Sequence, residues 1–520
     1  MKKISNNIVN VFLITLCTIT LIGSITQLSI LQDILSIKLN IVYTLLVILC
    51  VCGYIFRRRI KSGIKWIFHH SYCYLTVFLL VVCALVIYQL NLIQALTGSM
   101  DLDPAFIYNL ILHKPTVGSF YFSWYPNLLF LLNVENGIYN LLGKPSLYVF
   151  LTSLSYINMF LIDSGLILLY FAVKKQSNKK YAFLTFLIGV VLYGITPYIV
   201  IPYSDNWAFW VCSLYLFLLS TIFSSNHKFN SNKVVLLVCL GVVSALLFQI
   251  KPSTAIALIA TIIICLVIII PRIKFSEYDI NRCIKKIVKV TLVLIIPFCL
   301  TYGICNYFAN NNGLVKIEKG QAASPLHFMA MGLHGDGQYW EEFNNKDQAL
   351  SPAKRKEYEL KTIKKDITDF DSVADFSNFV INKQQHNSSL ASWQRNTGPV
   401  SWTLSPKLKL HNKFQKRLRY IFTEQNFFQW NGYLIFSQLV WVISIIGMIL
   451  SYSSKNYYVQ IIKYTVVGGF LFLILFEGGV SRYMIQYLPF MLVLSSYGFF
   501  NIINKSTQMK NIESKGEKDD

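Results

Sequence analysis

Apolar residues along this chain come in long uninterrupted blocks, not in strand-like alternation or in a one-sided helical stripe. Blocks of roughly 17–25 residues, the length that crosses a ~30 Å hydrocarbon core, lie at 8–30, 40–56, 71–96, 147–173, 181–199, 206–224, 234–250, 253–271, 288–308, 433–453, 459–476 and 483–503. Helices that are apolar all round need lipid or protein on every face. The pattern predicts an all-α polytopic membrane protein with about twelve transmembrane helices. Residues 124–143 are also apolar, but Glu135 and several asparagines give them a polar face. That segment is expected to lie flat at the interface.

Composition supports this pattern. Hydrophobic residues make up 54% of the 520 and charged residues only 14%, with a mean hydropathy of +0.49. A soluble surface needs more charge than that. The formal charge of +22 sits in short joints between blocks: Arg57-Arg58-Arg59, Lys174-Lys175, Lys179-Lys180, and Arg282 through Lys289. Cytoplasmic loops carry such clusters, so the charge calls for a membrane and not for nucleic acid. With the N-terminus inside, every basic joint falls on the cytoplasmic side. Counting 124–143 as a span would reverse Lys174–Lys180, a second reason to leave it at the interface.

The 11 cysteines fall almost wholly inside apolar blocks, and none lies in the long polar segment 309–432. This argues against a disulfide framework or a cysteine zinc site. Met1-Lys2-Lys3 and the following apolar run lack a small-residue cleavage site, so the run reads as the first span. The expected organisation is N-terminal spans at 1–96, a first outer loop at 97–146, and a transmembrane core at 147–308. An extracytoplasmic α or α+β cap at 309–432, closing spans at 433–503 and a disordered cytoplasmic tail at 504–520 follow.

Chemistry-bearing residues gather at the outer ends of the spans. Met100-Asp101-Leu102-Asp103-Pro104 follows an apolar block. Two such carboxylates either share a cation, divide the work of a general base, or are solvated loop acids. Asp205, in Tyr203-Ser204-Asp205, either caps the following helix or contributes to a cavity. Lys251-Pro252 interrupts an apolar stretch, and Arg482-Tyr483 opens the last span behind Glu477. Both cations suit an anionic lipid phosphate; otherwise Lys251 snorkels and Arg482 pairs with Glu477. His327 and His334 flank a glycine-bearing run, but their spacing matches no standard metal pair. A turn or substrate loop is the better reading.

In order and membrane side these pieces resemble the membrane glycosyltransferases of the C-type fold, which include the protein O-mannosyltransferase-like family 39 and the lipid A aminoarabinose transferases. The likeness rests on the Asp101/Asp103 loop, the 124–143 helix, Pro202-Tyr203-Ser204-Asp205, and Ser481-Arg482-Tyr483 with Pro489. The chain is more similar still to uncharacterised integral membrane proteins of Gram-positive bacteria grouped with such transferases. Tyr125-Pro126-Asn127 and Met331-Gly332-Leu333 with Gly337 carry that likeness. It covers about 97–500. The chain departs from the aminoarabinose transferases in having Asp-Leu-Asp in place of adjacent acids, two extra N-terminal spans, and no C-terminal soluble domain.

The resemblance implies an enzyme of the bacterial cytoplasmic membrane, active on its extracytoplasmic face, that moves a sugar from a polyprenyl-phosphate donor with inversion. The acceptor would be a saccharide, a lipid or a protein. It implies Asp103 as general base, assisted by Asp101, with Asp205 positioning the acceptor. A divalent cation held by Asp101, Asp103 and Asp205 is an open alternative. Arg482 and Lys251 would receive the donor phosphate. Trp124, Tyr125, Tyr203, His334 and Tyr483 would line the substrate pocket. The competing expectations are a polysaccharide polymerase or ligase, a lipid-linked saccharide transporter, for which Asp163 is the main buried charge, and a non-catalytic scaffold.

Overall fold

The computed structural model describes residues 2–35, 48, 55–225, 230–270, 277–393, 400–423 and 432–501. Among these, nine helices are long and apolar enough to cross a membrane: Lys3–Leu28, Ser71–Leu96, Leu147–Gln176, Ser204–Ser224, Ser231–Ile250, Pro252–Ile269, Ile287–Asn310, Gly432–Ser453 and Tyr457–Leu475. The expected span at 40–56 lies almost wholly outside the described residues, as does the tail. The only sheet among them is a two-stranded pair. The chain is an all-α, multi-pass integral membrane protein.

Two expected spans are built differently from plain helices. Across 181–199 the chain runs as a helix at Lys179–Gly189, a π turn at Val190–Gly194 and a 3-10 turn at Pro197–Val200. Pro197 has no N–H to donate, and Thr196 before it is extended at φ −83° and ψ 154°, as pre-proline sterics favour. Backbone freed this way inside a membrane protein must find other partners. Asn158 donates to the carbonyls of Ile199 and Ile201 at 3.1 and 2.8 Å, Gln89 to Gly194 at 2.9 Å, and Trp393 Nε1 to Leu192 at 2.7 Å. The last span opens as a 3-10 turn, Ser481–Met484, and continues into the apolar helix Leu488–Asn501.

The helices divide between protein and lipid. Tyr457–Leu475 is central, with 67% of its apolar window buried, whereas none of the Ile287–Asn310 window is buried. Leu292, Ile295, Ile296, Leu300 and Ile304 of the latter are exposed, a face that suits hydrocarbon or another apolar surface.

Residues 309–432 fold mostly as helices: Pro325–Leu333, Glu341–Ala349, Pro352–Thr368, Val373–Ser388 and Lys413–Phe422. The first three enclose a small core of Ala330, Met331, Leu333, Phe343 and Ile363. The later part joins the main core through Trp393, Val400, Trp402 and Leu404. Val373–Ser388 is pinned to two spans. Ser388 meets Thr20 at 2.7 Å, and Trp441 Nε1 donates to the Ser388 carbonyl at 2.9 Å. Strand Leu404–Pro406 pairs antiparallel with Gly98–Met100, setting Gly98 opposite Pro406. A Cβ at Gly98 would overlap the Ser405 carbonyl oxygen, so only glycine permits this approach.

Candidate functional site

The Asp-Leu-Asp motif is split by its own backbone. Leu102 adopts φ +51°, a left-handed conformation that an L side chain tolerates only at a cost. The two carboxylates go to different partners. Asp101 Oδ1 accepts from the Thr403 N–H at 2.9 Å and so helps fasten the strand pair. Asp103, in the first turn of Leu102–Ile111, accepts from Tyr121 Oη at 2.5 Å and from Tyr203 Oη at 3.2 Å.

Tyr203 then leads to the cations. Its ring lies 5.6 Å from the Arg482 guanidinium, which also sits over Trp402 at 4.6 Å and Tyr483 at 4.9 Å. Arg482 is buried, and its Nε has no hydrogen-bond partner. No salt bridge joins it to Glu477 among the described residues. Glu477 instead accepts from Tyr483 Oη at 3.0 Å. Burial pushes the Glu477 carboxyl above its ordinary range, against the pull of that hydroxyl and of Arg482.

Two residues beyond Tyr203, Asp205 is in the first turn of Ser204–Ser224. It does not cap the helix through its side chain. Its Oδ1 pairs with Lys251 Nζ, while Oδ2 is buried without a partner. Lys251 is placed by the break between two spans, being the extended residue that ends Ser231–Ile250 and precedes Pro252. It therefore spends its charge on Asp205 and does not snorkel.

The loop carrying Glu477 and Arg482 is held by the cap. Lys383 Nζ donates to the Phe476 carbonyl at 2.8 Å and to that of Gly332. Gly478 N–H donates to Gly337 at 2.9 Å, and Gly479 N–H to Asn387 Oδ1 at 2.5 Å. A Cβ at Gly332 would collide with the Phe476 carbonyl. The glycine-bearing run after His327 thus packs against this loop.

The structure accordingly gathers Asp103, Tyr203, Asp205, Lys251, Arg482 and Tyr483 at one end of the helix block. Tyr125 borders the group through Tyr121, with ring centroids 5.2 Å apart. Trp124 is turned into the cap, with its ring 4.7 Å from the Arg355 guanidinium. His334 is engaged elsewhere, stacked on Trp340 with Nδ1 3.3 Å from Asp366. Asp101, Asp103 and Asp205 each have a separate partner and do not form a three-acid cation site. Sequence reasoning missed Tyr121 and Trp402, which nothing in the local pattern distinguishes, and left Glu477 as a mere counter-ion.

The family described as conserved hypothetical integral membrane protein matches residues 1–501. The chain belongs to that family. Comparison with curated proteins gives no match, and comparison with solved structures gives none. Family membership thus states the membrane character that the nine long apolar helices also carry, and leaves the chemistry to the residues themselves.

Proposed function

We propose that the chain is a glycosyltransferase of the bacterial cytoplasmic membrane, working on the extracytoplasmic face, that transfers a sugar from a polyprenyl phosphate to an acceptor hydroxyl. The supporting observation is that Tyr203 touches Asp103 with its hydroxyl and Arg482 with its ring. A carboxylate and a cation that makes no salt bridge among the described residues thereby meet on one tyrosine, from residues far apart in sequence. The basic joints at the opposite ends of the spans support the outward orientation.

In this reading Asp103 accepts the proton of the acceptor hydroxyl, whose oxygen attacks the anomeric carbon from the face opposite the phosphate. The anomeric C–O bond breaks, the configuration inverts, and polyprenyl phosphate departs with the bonding pair. Tyr121, the closer hydroxyl, orients Asp103, and the acceptor displaces the longer Tyr203 bond. Arg482 takes up the charge that develops on the phosphate, the kind of interaction that favours the transition state over the ground state. Lys251, neutralised by Asp205, holds the wall of the site more than it binds phosphate. The transporter reading draws less support, because Asp163 accepts from Gln89 at 2.9 Å inside the block.

The test is reconstitution in lipid nanodiscs with a series of polyprenyl-phosphate sugars, following released polyprenyl phosphate. Turnover that disappears in Asp103→Asn and Arg482→Met, with both variants folded, supports the proposal. Equal turnover in Asp103→Asn removes the base, and no turnover with any donor removes the activity.

A further inference from the structure

A second group of chemistry-bearing side chains lies in the cap, outside the site above. His327 on Pro325–Leu333, Asp347 near the end of Glu341–Ala349 and Glu359 on Pro352–Thr368 meet in the interior, exposed by 0%, 0% and 1%. One ligand atom from each lies within 4.8 Å of the other two. Each is also steadied from outside the cluster or across it. His327 Nδ1 is 2.8 Å from Asp347 Oδ2, and Ser324, which caps the helix of His327, donates to Glu359 Oε2 at 2.7 Å.

What remains is unsatisfied. Asp347 Oδ1 and Glu359 Oε1 have no hydrogen-bond partner, and neither has His327 Nε2. Leaving a buried acceptor unpaired costs about 1–3 kcal/mol, and two carboxylates side by side repel each other. Arg355, one turn before Glu359, directs its donors to Leu350 and Gln321 and its plane to Trp124. It does not answer the two acids.

We propose that His327, Asp347 and Glu359 bind one divalent transition-metal ion, with Zn²⁺ the fitting choice. One imidazole and two carboxylates favour such an ion over Ca²⁺ or Mg²⁺, which prefer oxygen alone. Zinc at about 2.1 Å from each ligand holds tetrahedral neighbours roughly 3.4 Å apart. The widest pair here would close by at most about 1.4 Å, within reach of side-chain rotations. The ion's role is to join three cap helices behind Trp124, whose ring lies 5.1 Å from that of His327. This site does not depend on the transferase reading.

The test uses the full chain purified in detergent without chelator. Elemental analysis should give about one zinc per chain, and EDTA should lower the melting temperature until zinc is restored, as binding to the folded state alone requires. His327→Gln and Glu359→Gln should each lose the metal, while Asp366→Asn keeps it. Wild-type protein that carries no metal and is not stabilised by Zn²⁺, Mn²⁺ or Co²⁺ overturns the proposal, leaving a proton-sharing network. Wild-type stoichiometry in the two glutamine variants overturns it as well. Should those variants fail to fold, the visible spectrum of Co²⁺ added to the apo wild type decides: bands of mixed nitrogen and oxygen ligation support the site, and the spectrum of free aqueous Co²⁺ refutes it.

Discussion

The helix Tyr457–Leu475 has a buried cation toward each end, and the two are treated in opposite ways. At one end Lys463 Nζ donates to Asn10 Oδ1 at 2.9 Å and to the carbonyls of Ser454 and Tyr452 at 3.0 and 3.1 Å. An ammonium has three donors, and all three are used. Beyond the other end, Arg482 rests among three aromatic rings with its Nε unpaired. The first arrangement ties the 451–456 connection to the N-terminal helix and is complete as it stands. The second makes no salt bridge among the described residues. Charge buried in a membrane protein is therefore weak grounds for a site until its donors have been accounted for.

The largest effect that would separate the two ends is on turnover. Arg482→Met and Asp103→Asn should each lower transfer about 10²–10³-fold, the scale of lost charge stabilisation or lost base catalysis, with little change in melting temperature. Asp101→Asn, whose amide oxygen still accepts from Thr403, should fall far less. If Asp101→Asn is the more damaging, the roles given to the two acids are reversed.

Next comes the Lys251–Asp205 pair. Asp205→Asn leaves a partly buried lysine without its carboxylate and should cost about 3 kcal/mol in thermal unfolding, while Asp205→Asn with Lys251→Met should recover most of it. A double variant no better than the single one would mean that Asp205 acts through something other than Lys251. Lys463→Met should cost about 2 kcal/mol and leave turnover per folded molecule intact; a fall in turnover would break the contrast between the ends.

The smallest effect is a slope with pH. Burial lowers the Lys383 ammonium from 10.5 to about 7, so the unfolded chain holds more protons between those values. The stability that Lys383 contributes is complete above 10.5 and is lost as pH falls toward 7. The melting temperature should rise over that window, and Lys383→Met should flatten the rise. An unaltered slope would show that Lys383 keeps its charge.

The spans were legible in the sequence because each is a local run of apolar residues, and lipid imposes a fixed length on such runs. The irregular end of the 181–199 span was not legible, for the converse reason. Its apolar count equals that of a span, but Pro197 unwinds it, and the side chains that compensate, Asn158 and Gln89, come from other helices. The site was legible in part. Asp103, Asp205, Lys251 and Arg482 stand out as charges at the ends of apolar runs. Tyr121 and Trp402 do not, being aromatic residues among many. The division of labour between Asp101 and Asp103 rests on one left-handed residue, which a leucine in the sequence gives no reason to expect. The cap triad was hidden because its ligands lie on three helices, while the spacing of His327 to His334 drew attention to the wrong partner.

Arg482 stands at the opening of the last span, and this bears on how the protein is made. Asp103, Asp205 and Lys251 leave the ribosome long before it, and the Asp205–Lys251 pair can form among helices already inserted. The cation assigned to the donor, and the loop that the cap must grip, arrive only when the final helix enters the bilayer. A chain cut short before Ser481 would still carry most of the apolar helices, yet it would lack the cation that the proposed function gives to the donor. Biosynthesis thus sets the order of assembly, and under the proposed function no transfer would begin before the last membrane crossing.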